Sequence, residues 1–319
     1  MTPDGPFFIV LNAGSGKRDA DTTEATIRDV LEQAGRYYDL ARVDHPRQLP
    51  VLARRAVKLA QQQQGTVVVA GGDGTINAVA QAVLNSGLPF GVLPQGTFNY
   101  FSRAHGIPAD TATATRLLLD ATVRLVQVGL INDRVFLVNA SLGLYPRLLE
   151  ERELFYKQQF GRSRLVALCA GVITLLREHR QLVIGLEYEN QSRVLRTPTL
   201  VVGNNPLQLE QVGIPHAPAI QEGRLVAMAV RPIGTLALFG LLYRGALGQL
   251  GDTDNVVSFA FDRLTVRPYR RRRIKVAVDG EVIWLKTPLV FQVAPHALPL
   301  LVPSRTLTTS STDADEEAR

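Results

Sequence analysis

The sequence predicts an α/β protein in which an N-terminal doubly wound α/β domain precedes a C-terminal antiparallel β-sandwich domain. Three observations support this fold class. The chain has 319 residues, a length that favours two domains over one. Strand and helix patterns alternate through the first third, as they do in parallel sheets covered on both faces by helices. After about residue 128, strand patterns dominate, which is typical of an antiparallel sandwich or barrel.

The first domain is assigned to residues 1–128 from its apolar pattern. Continuous apolar runs of four to six residues indicate buried strands, and apolar residues that recur at helical spacing indicate helices between them. The predicted strands are 7–11, 66–70 and 90–93, and the predicted helices are 21–34, 51–59, 76–84 and 109–119.

The second domain is assigned to residues 129–305. Alternating or β-branched runs predict strands at 135–140, 182–188, 199–202, 224–230, 256–261, 263–266, 274–278 and 282–285, with helices only at 148–178 and 236–247. The remaining residues, 306–319, are rich in Thr, Ser, Asp and Glu, and we expect a disordered acidic tail.

Composition limits the kinds of protein that this chain can be. Hydrophobic residues make up 46% of it and charged residues 20%, which excludes wholesale disorder. The net charge is +6, so an anionic partner such as nucleic acid, an anionic membrane surface or a phosphorylated substrate is favoured. A single cysteine precludes an intrachain disulfide and fits a reducing, cytoplasmic compartment. No apolar stretch reaches the roughly 20 residues that span a bilayer, so we expect any membrane contact to be peripheral.

The segment GGDGT, residues 71–75, is the most informative motif. It lies between a predicted strand and a predicted helix, where glycines allow a ligand to approach the backbone and free N–H groups favour a phosphate. A carboxylate beside a phosphate is repulsive unless a cation lies between them, so Asp73 indicates Mg²⁺-nucleotide chemistry. The alternative is a tight turn in which Asp73 only caps the helix.

Two further loops follow predicted strands of the same domain. The loop NAGSGK, residues 12–17, departs from the Walker A spacing but has glycines, a hydroxyl and a cation that suit a phosphate. The loop PQGTFN covers residues 94–99. All three loops stand at the carboxyl ends of predicted parallel strands, where open α/β sheets bind ligands.

Taken in order, GGDGTIN, the Asn-x-x-Ser-Gly loop and Pro-x-Gly-Thr-x-Asn resemble the diacylglycerol kinase catalytic-domain family, which includes bacterial lipid kinases and the sphingosine and ceramide kinases. The resemblance continues in the second half, through Asn-Ala-Ser-Leu-Gly at 139–143, Gly-Asn-Asn at 203–205, Glu-Gly-Arg-Leu at 222–225 and Asp-Gly-Glu at 279–281. It spans residues 7 to about 303.

The resemblance implies an active site in the cleft between the two domains. The nucleotide-binding residues that it implies are Asn12, Ser15, Gly16, Gly71, Gly72, Asp73, Gly74, Thr75, Ile76, Asn77, Gly96, Thr97 and Asn99. It also implies that Asp73 acts on Mg²⁺-ATP, and that Asp279 or Glu281 is the base that accepts the proton of the lipid hydroxyl.

Three features of the sequence qualify this assignment. Asp-Gly at 279–280 joins two apolar runs, so it is also the signal of a plain two-residue hairpin. Tyr100 and Phe101 stand where many family members have an Asp. Glu222 replaces the Asp of the family's structural metal site, so a metal there binds differently or is lost.

The basic run at 267–275 carries six cations. It predicts either contact with anionic lipid headgroups or a strand edge on which charge deters pairing.

These patterns predict an ATP- and Mg²⁺-dependent lipid kinase that phosphorylates a hydroxyl of a membrane lipid such as diacylglycerol. We expect a cytoplasmic protein that lies peripherally at the membrane and has no nucleic-acid partner. The sequence leaves open whether the protein forms a homodimer. The alternatives are an NAD-kinase-like enzyme and a catalytically weak regulator that binds lipid or nucleotide.

Overall fold

The computed structural model describes residues 5–14, 20–157, 181–234 and 254–304, together with 237–238, 240–241, 244 and 247–249. For residues 151–157 it describes the backbone alone. The predicted tail at 306–319, half of the predicted helix at 236–247 and residues 158–178 of the predicted helix at 148–178 therefore lie outside the described residues.

A four-stranded parallel sheet forms the first part of the chain. Its strands are β1 (Phe7–Asn12), β2 (Tyr38–Val43), β3 (Thr66–Gly71) and β4 (Phe90–Pro94), in the order β2-β1-β3-β4. All three pairings among them are parallel. The carboxyl ends of β1, β3 and β4 therefore meet at one edge, as the sequence predicts.

Helices cover both faces of this sheet, which confirms the doubly wound architecture. They are α1 (Ala20–Gln33), α2 (Leu49–Gln63), α3 (Asp73–Val83), α4 (Tyr100–Ala104) and α5 (Thr111–Asp120). The apolar sides of α1 and α5 pack on one face of the sheet, and those of α2 and α3 pack on the other. The buried strands are apolar on both sides because both faces are covered.

The second part of the chain contributes twelve strands and two described helices. The strands are β5 (Thr122–Ile131), β6 (Arg134–Phe136), β7 (Asn139–Gly143), β8 (Leu182–Tyr188), β9 (Gln191–Thr197), β10 (Thr199–Gly203), β11 (Leu225–Val230), β12 (Val256–Phe261), β13 (Arg263–Pro268), β14 (Arg273–Val278), β15 (Glu281–Lys286) and β16 (Leu289–Val302). The helices are α6 (Leu144–Lys157) and α7 (Pro206–Gln211).

Two sheets pack face to face in this part and form the predicted sandwich. One is a six-stranded antiparallel sheet in the order β12-β11-β10-β7-β14-β15. The other is the far half of a ten-stranded sheet, β16-β13-β8-β9. Side chains of both inner faces, such as Leu142, Val202, Leu264 and Phe291, form one buried core.

Strand β16 joins the two parts of the chain. It pairs antiparallel with β5 and β13, and at Leu300 it pairs parallel with Phe90 of β4. The parallel sheet and half of the sandwich are thus one continuous ten-stranded sheet. Strand β5 runs through the predicted boundary at residue 128, while the division into domains itself stays a prediction.

Candidate functional site

The glycine-rich motif opens helix α3. Gly72 is the N-cap residue and gives the helix no side-chain cap, so Asp73 is the first helical residue. The first intrahelical bond runs from the Ile76 N–H to the Gly72 carbonyl at 3.0 Å. The N–H groups of residues 73–75 precede that bond, have no carbonyl partner within the helix, and can bind an anion. The alternative in which Asp73 caps the helix is wrong, because Gly72 occupies the capping position.

Asp73 carries a desolvated carboxylate at this helix terminus. Burial raises its pKa, while backbone N–H groups of Phe101, Tyr100 and Asn99 oppose the shift. The contact from the Phe101 N–H is long, 3.5 Å, so it stabilises the charge only weakly. A partly buried carboxylate with such weak donors is one that a bound cation would stabilise.

The loop after β1 contacts this motif directly. The Asn12 side-chain amide donates to the Thr75 hydroxyl at 2.7 Å. The Oδ1 of the same side chain accepts from the Gly14 N–H at 3.1 Å, which turns the chain immediately after the strand. Ser15 and Gly16 lie outside the described residues.

The loop after β4 is held by Asn99. Its side chain accepts from the Gly96 N–H and donates to the Gly96 carbonyl, both at 2.9 Å. Asn99 adopts a left-handed conformation, with φ of 49°, which asparagine tolerates well. Asn99 therefore positions the loop, whereas Thr97 is exposed at its tip.

Glycines allow the loops after β3 and β4 to approach each other. A Cβ on Gly96 would lie 3.0 Å from the Gly72 Cα, and a Cβ on Gly71 would lie 2.6 Å from the Thr75 Cβ. A Cβ on Gly74 would meet no heavy atom within 4 Å. Gly71 and Gly96 are thus required by packing, while Gly74 faces open space.

Two of the predicted nucleotide-binding residues have other contacts. The Ile76 side chain is fully buried in the core, and its N–H bonds within the helix. The Asn77 amide donates to the Val135 carbonyl at 2.8 Å and to the Asp279 carboxylate at 2.7 Å. Asn77 therefore connects α3 to the second half of the chain, and its nucleotide contact stays a prediction.

The Asp279 carboxylate is enclosed by N–H donors. One oxygen accepts from the Asn77 amide and the Leu137 N–H, each at 2.7 Å. The other accepts from the Val138 and Asn139 N–H groups, each at 2.9 Å. Burial raises the pKa of Asp279 to about 6, although these four donors lower it. The two oxygens have about four lone-pair positions, so every position is occupied.

Glu281 lies two residues beyond Asp279, at the start of β15. Glu281 pairs with Val278 across the hairpin, and its side chain is exposed. Among the described residues, no hydrogen bond or ion pair engages its carboxylate. The structure thus gives the two acids of this hairpin different surroundings: one is enclosed, the other free.

Glu222 lines a cleft of about 1220 Å³. Asp262, His105 and His296 also line this cleft. Burial lowers the pKa of His105 to about 4, so its ring is neutral near pH 7. Within the part of the chain that the structure describes, no three acidic, histidine or cysteine side chains cluster as metal ligands. The predicted metal site at Glu222 stays a prediction.

Two asparagines, Asn204 and Asn205, help to hold the two halves together, a role that the sequence did not predict. The Asn205 amide donates to the Tyr100 carbonyl at 2.9 Å, and the Tyr100 hydroxyl donates to Gln211 at 2.9 Å. The Asn204 side-chain oxygen accepts from the Gln127 amide at 2.8 Å. Two sequence motifs could have indicated this role, Asn-Ala-Ser-Leu-Gly and Gly-Asn-Asn. Each places polar residues at the buried end of a strand.

An apolar pocket of about 340 Å³ opens on the outer face of the six-stranded sheet. Helix α6 borders it with Tyr145 and Leu148, and the sheet contributes Val201 and Met228. Asn139 is one of its few polar lining residues, and the N–H of that residue bonds to Asp279. Sequence reasoning missed this pocket because its lining comes from segments far apart in the chain, between Asn139 and Val256.

Three comparisons identify what this chain is similar to. The sequence model of the diacylglycerol kinase catalytic domain matches residues 6–131. A diacylglycerol kinase of Staphylococcus haemolyticus is 27% identical over 57% of this chain and 54% of that protein. A Pseudomonas aeruginosa protein described as "Probable lipid kinase YegS-like" is 42% identical over 34% of this chain and 37% of that protein.

Two longer matches extend beyond residue 131. An uncharacterised Synechocystis protein is 26% identical over 93% of this chain and 69% of that protein. A crystal structure of a diacylglycerol kinase from Bacillus anthracis superposes with a TM-score of 0.67 at 18% identity, over 93% of this chain and 96% of that one. At that identity the superposition shows a shared fold, which includes both parts of the chain.

Proposed function

We propose that this chain is a kinase of the diacylglycerol kinase catalytic-domain family, whose model matches residues 6–131. On that premise, it transfers the γ-phosphate of Mg²⁺-ATP to a hydroxyl of a membrane lipid, most simply diacylglycerol. The observation that carries the proposal is the convergence of three loops at one sheet edge, joined by the Asn12–Thr75 bond and the close approach of Gly72 and Gly96.

The chain's own residues would bind the nucleotide phosphates through the free N–H groups at the start of α3. Asn12 and Asn99 position the neighbouring loops, and the exposed Thr97 hydroxyl can donate to a phosphate oxygen. Phosphoryl transfer depends mainly on such positioning and on charge stabilisation.

Asp73 is the residue that we propose to hold Mg²⁺. The ion needs only one or two protein carboxylates, because substrate phosphates and waters supply its remaining ligands. A lone desolvated carboxylate beside an anion-binding helix terminus fits that requirement. When bound, Mg²⁺ offsets the negative charge of the transferring phosphate.

Glu281 is the residue that we propose as the base. A base must offer a free lone pair to the hydroxyl proton, and the exposed Glu281 carboxylate has one. All lone-pair positions of Asp279 already accept hydrogen bonds from the junction between the two halves. Asp279 is accordingly proposed to hold the hairpin tip in place.

The apolar pocket beside α6 supports a lipid acceptor. Its lining is mostly aliphatic, and its volume of about 340 Å³ suits part of an acyl chain. No helix among the described residues is long and apolar enough to cross a bilayer. We therefore propose that the protein meets its substrate from the membrane surface, as a peripheral protein.

The test is transfer of labelled γ-phosphate to a total lipid extract, followed by a panel of pure acceptors. We expect one phosphorylated lipid, dependence on Mg²⁺, and a fall in KM as the acyl chain lengthens, because longer chains fill the apolar pocket. Labelled NADP instead would indicate a small-molecule kinase. Nucleotide binding without transfer to any acceptor would indicate a regulator, and either result overturns the proposal.

Substitution of Gly74 separates ligand binding from folding. Its added Cβ meets nothing within the chain, and Gly74 lies in a helix, so Gly74→Ala should leave stability unchanged or raise it by about 0.5–1 kcal/mol. If phosphates lie against these N–H groups, the same methyl group obstructs them, and we expect ATP affinity to fall at least about tenfold. Thermal unfolding and ATP titration measure the two effects.

Gly234→Ala is the control, because its added Cβ also meets no heavy atom within 4 Å. Gly87→Ala is unsuitable because the φ of Gly87 is 72°. Unchanged ATP affinity in Gly74→Ala would contradict the phosphate-binding role.

A further inference from the structure

A second pocket, of about 290 Å³, lies on the other side of helix α6 from the apolar pocket. Helix α6 contributes Arg147 and Glu150 to its lining, the turn before β14 contributes Arg271, and the hairpin of β14 and β15 contributes Lys275 and Trp284. None of these residues belongs to the nucleotide loops or to the Asp279 hairpin tip. The pocket is therefore separate from the proposed catalytic residues.

The charges in this pocket favour an anion. Lys275 donates to both oxygens of the Glu150 carboxylate, at 2.7 and 2.9 Å, so these two groups neutralise each other. Arg147 and Arg271 remain, and neither guanidinium forms an ion pair with any residue that the structure describes. Two guanidinium groups that line one concave surface suit a phosphate, because each can donate two parallel hydrogen bonds.

Two exposed aromatic side chains accompany these cations: Trp284 lines the pocket, and Tyr269 precedes Arg271 by two residues. Trp284 is 57% exposed and Tyr269 is 62% exposed. Lys275 Nζ lies 5.5 Å from the centroid of the Trp284 ring, and the Arg270 guanidinium lies 5.1 Å from that of Tyr269. Exposed Trp and Tyr beside cations are typical of the boundary between water and lipid, since each ring has an apolar body and a polar tip.

Protection of a sheet edge does not account for this arrangement. The basic run at 267–275 lies on β13, on β14 and on the turn between them, and each of these strands pairs with a neighbour on both sides, so the run is not on a sheet edge where charge would deter pairing. Arg147, moreover, lies on helix α6 and lines the same pocket as Arg271. Edge protection requires neither a concave site nor cations from two elements.

We propose that this pocket binds the phosphate of an anionic phospholipid headgroup while Tyr269 and Trp284 rest in the bilayer interface. The proposal deepens the proposed function and rests on it for the identity of the partner as a membrane. Helix α6 lines the headgroup pocket with Arg147 and the apolar pocket with Tyr145 and Leu148. Docking at the first pocket therefore brings the second close to the bilayer, where an acyl chain can enter.

The chain offers an internal probe, because Trp284 is its only tryptophan. Trp emission should shift to shorter wavelength when the protein meets phosphatidylcholine vesicles that contain phosphatidylglycerol, but not pure phosphatidylcholine vesicles. The variant Arg147→Gln/Arg271→Gln should bind the anionic vesicles about 30-fold more weakly at low salt, the effect of two cations near a charged surface. The charge-matched control Arg193→Gln/Arg196→Gln, on the exposed strand β9, should bind like the unmodified protein.

Three results would overturn the proposal: equal vesicle binding by the two double variants, an unchanged Trp emission on anionic vesicles, or the full emission shift with inorganic phosphate alone. Phosphorylation of a short-chain soluble acceptor, measured without vesicles, keeps the two proposals distinguishable. If the soluble acceptor is phosphorylated but vesicle binding does not depend on Arg147 and Arg271, the headgroup site is refuted and the kinase proposal is not. Arg-dependent vesicle binding without transfer to any acceptor refutes the kinase proposal alone.

Discussion

Asp73→Asn is expected to lower kcat at least about 100-fold, the scale of removing one preorganised charged group from a reaction centre. The substitution keeps the shape of the side chain and its place at the start of α3. It removes only the negative charge that would hold Mg²⁺ beside the nucleotide phosphates. The loss should appear with every acceptor, because it arises on the nucleotide side.

The fold should tolerate this change. Burial raises the pKa of Asp73, which means that the folded protein disfavours the ionised carboxylate. A neutral amide relieves that cost, so the thermal midpoint at pH 7 should stay the same or rise. Asp133→Asn, in the exposed turn between β5 and β6, is the matched control and should retain full kcat. Near-normal turnover by Asp73→Asn would exclude the metal-binding role.

Much of the fold follows from local sequence patterns. Strands β8 and β12 begin and end at the predicted residues, 182–188 and 256–261, because their apolar runs stop at polar or turn residues. Strand β16 was missed because Pro295 and Pro299 interrupt its pattern, and prolines argue against a continuous strand. Its register shifts between Ala294 and Leu298, and that irregularity accommodates the interruption. Strand β9 was missed because it is exposed, so its residues lack an apolar pattern.

Part of the candidate site could be predicted from the sequence and part could not. The three loops were predictable, since glycine-rich segments that follow neighbouring parallel strands meet at one edge. The different surroundings of Asp279 and Glu281 were only partly predictable, because the donors to Asp279 come from Asn77 and from residues 137–139. Both pockets beside α6 depend on side chains far apart in sequence, such as Arg147 and Arg271. No local sequence pattern indicates that residues so far apart in the chain line the same pocket.

The two acids of the hairpin should respond differently to loss of charge. We expect Glu281→Gln to lower kcat at least about 100-fold at an unchanged Kd for ATP, since a general base contributes about that much or more and the nucleotide loops lie elsewhere. Its fold should be unaffected, because the side chain is exposed. Asp279→Asn should still fold but lose about 1–3 kcal/mol of stability. The NH₂ group of the new amide would face N–H groups whose hydrogen bonds the carboxylate now accepts, so donor would meet donor.

The pH dependence distinguishes these roles. The pKa of Asp279 is raised from 3.8 to about 6, so its ionisation opposes folding. Its contribution to stability is therefore complete below pH 3.8 and is lost as the pH rises through 6, and Asp279→Asn should remove that dependence from the free energy of unfolding. If Asp279 were the base, kcat would instead fall as the pH drops below about 6, and Asp279→Asn would abolish turnover. If both variants keep full kcat, the Asp-Gly-Glu segment is only a hairpin, and Asp73 becomes the first candidate for the base.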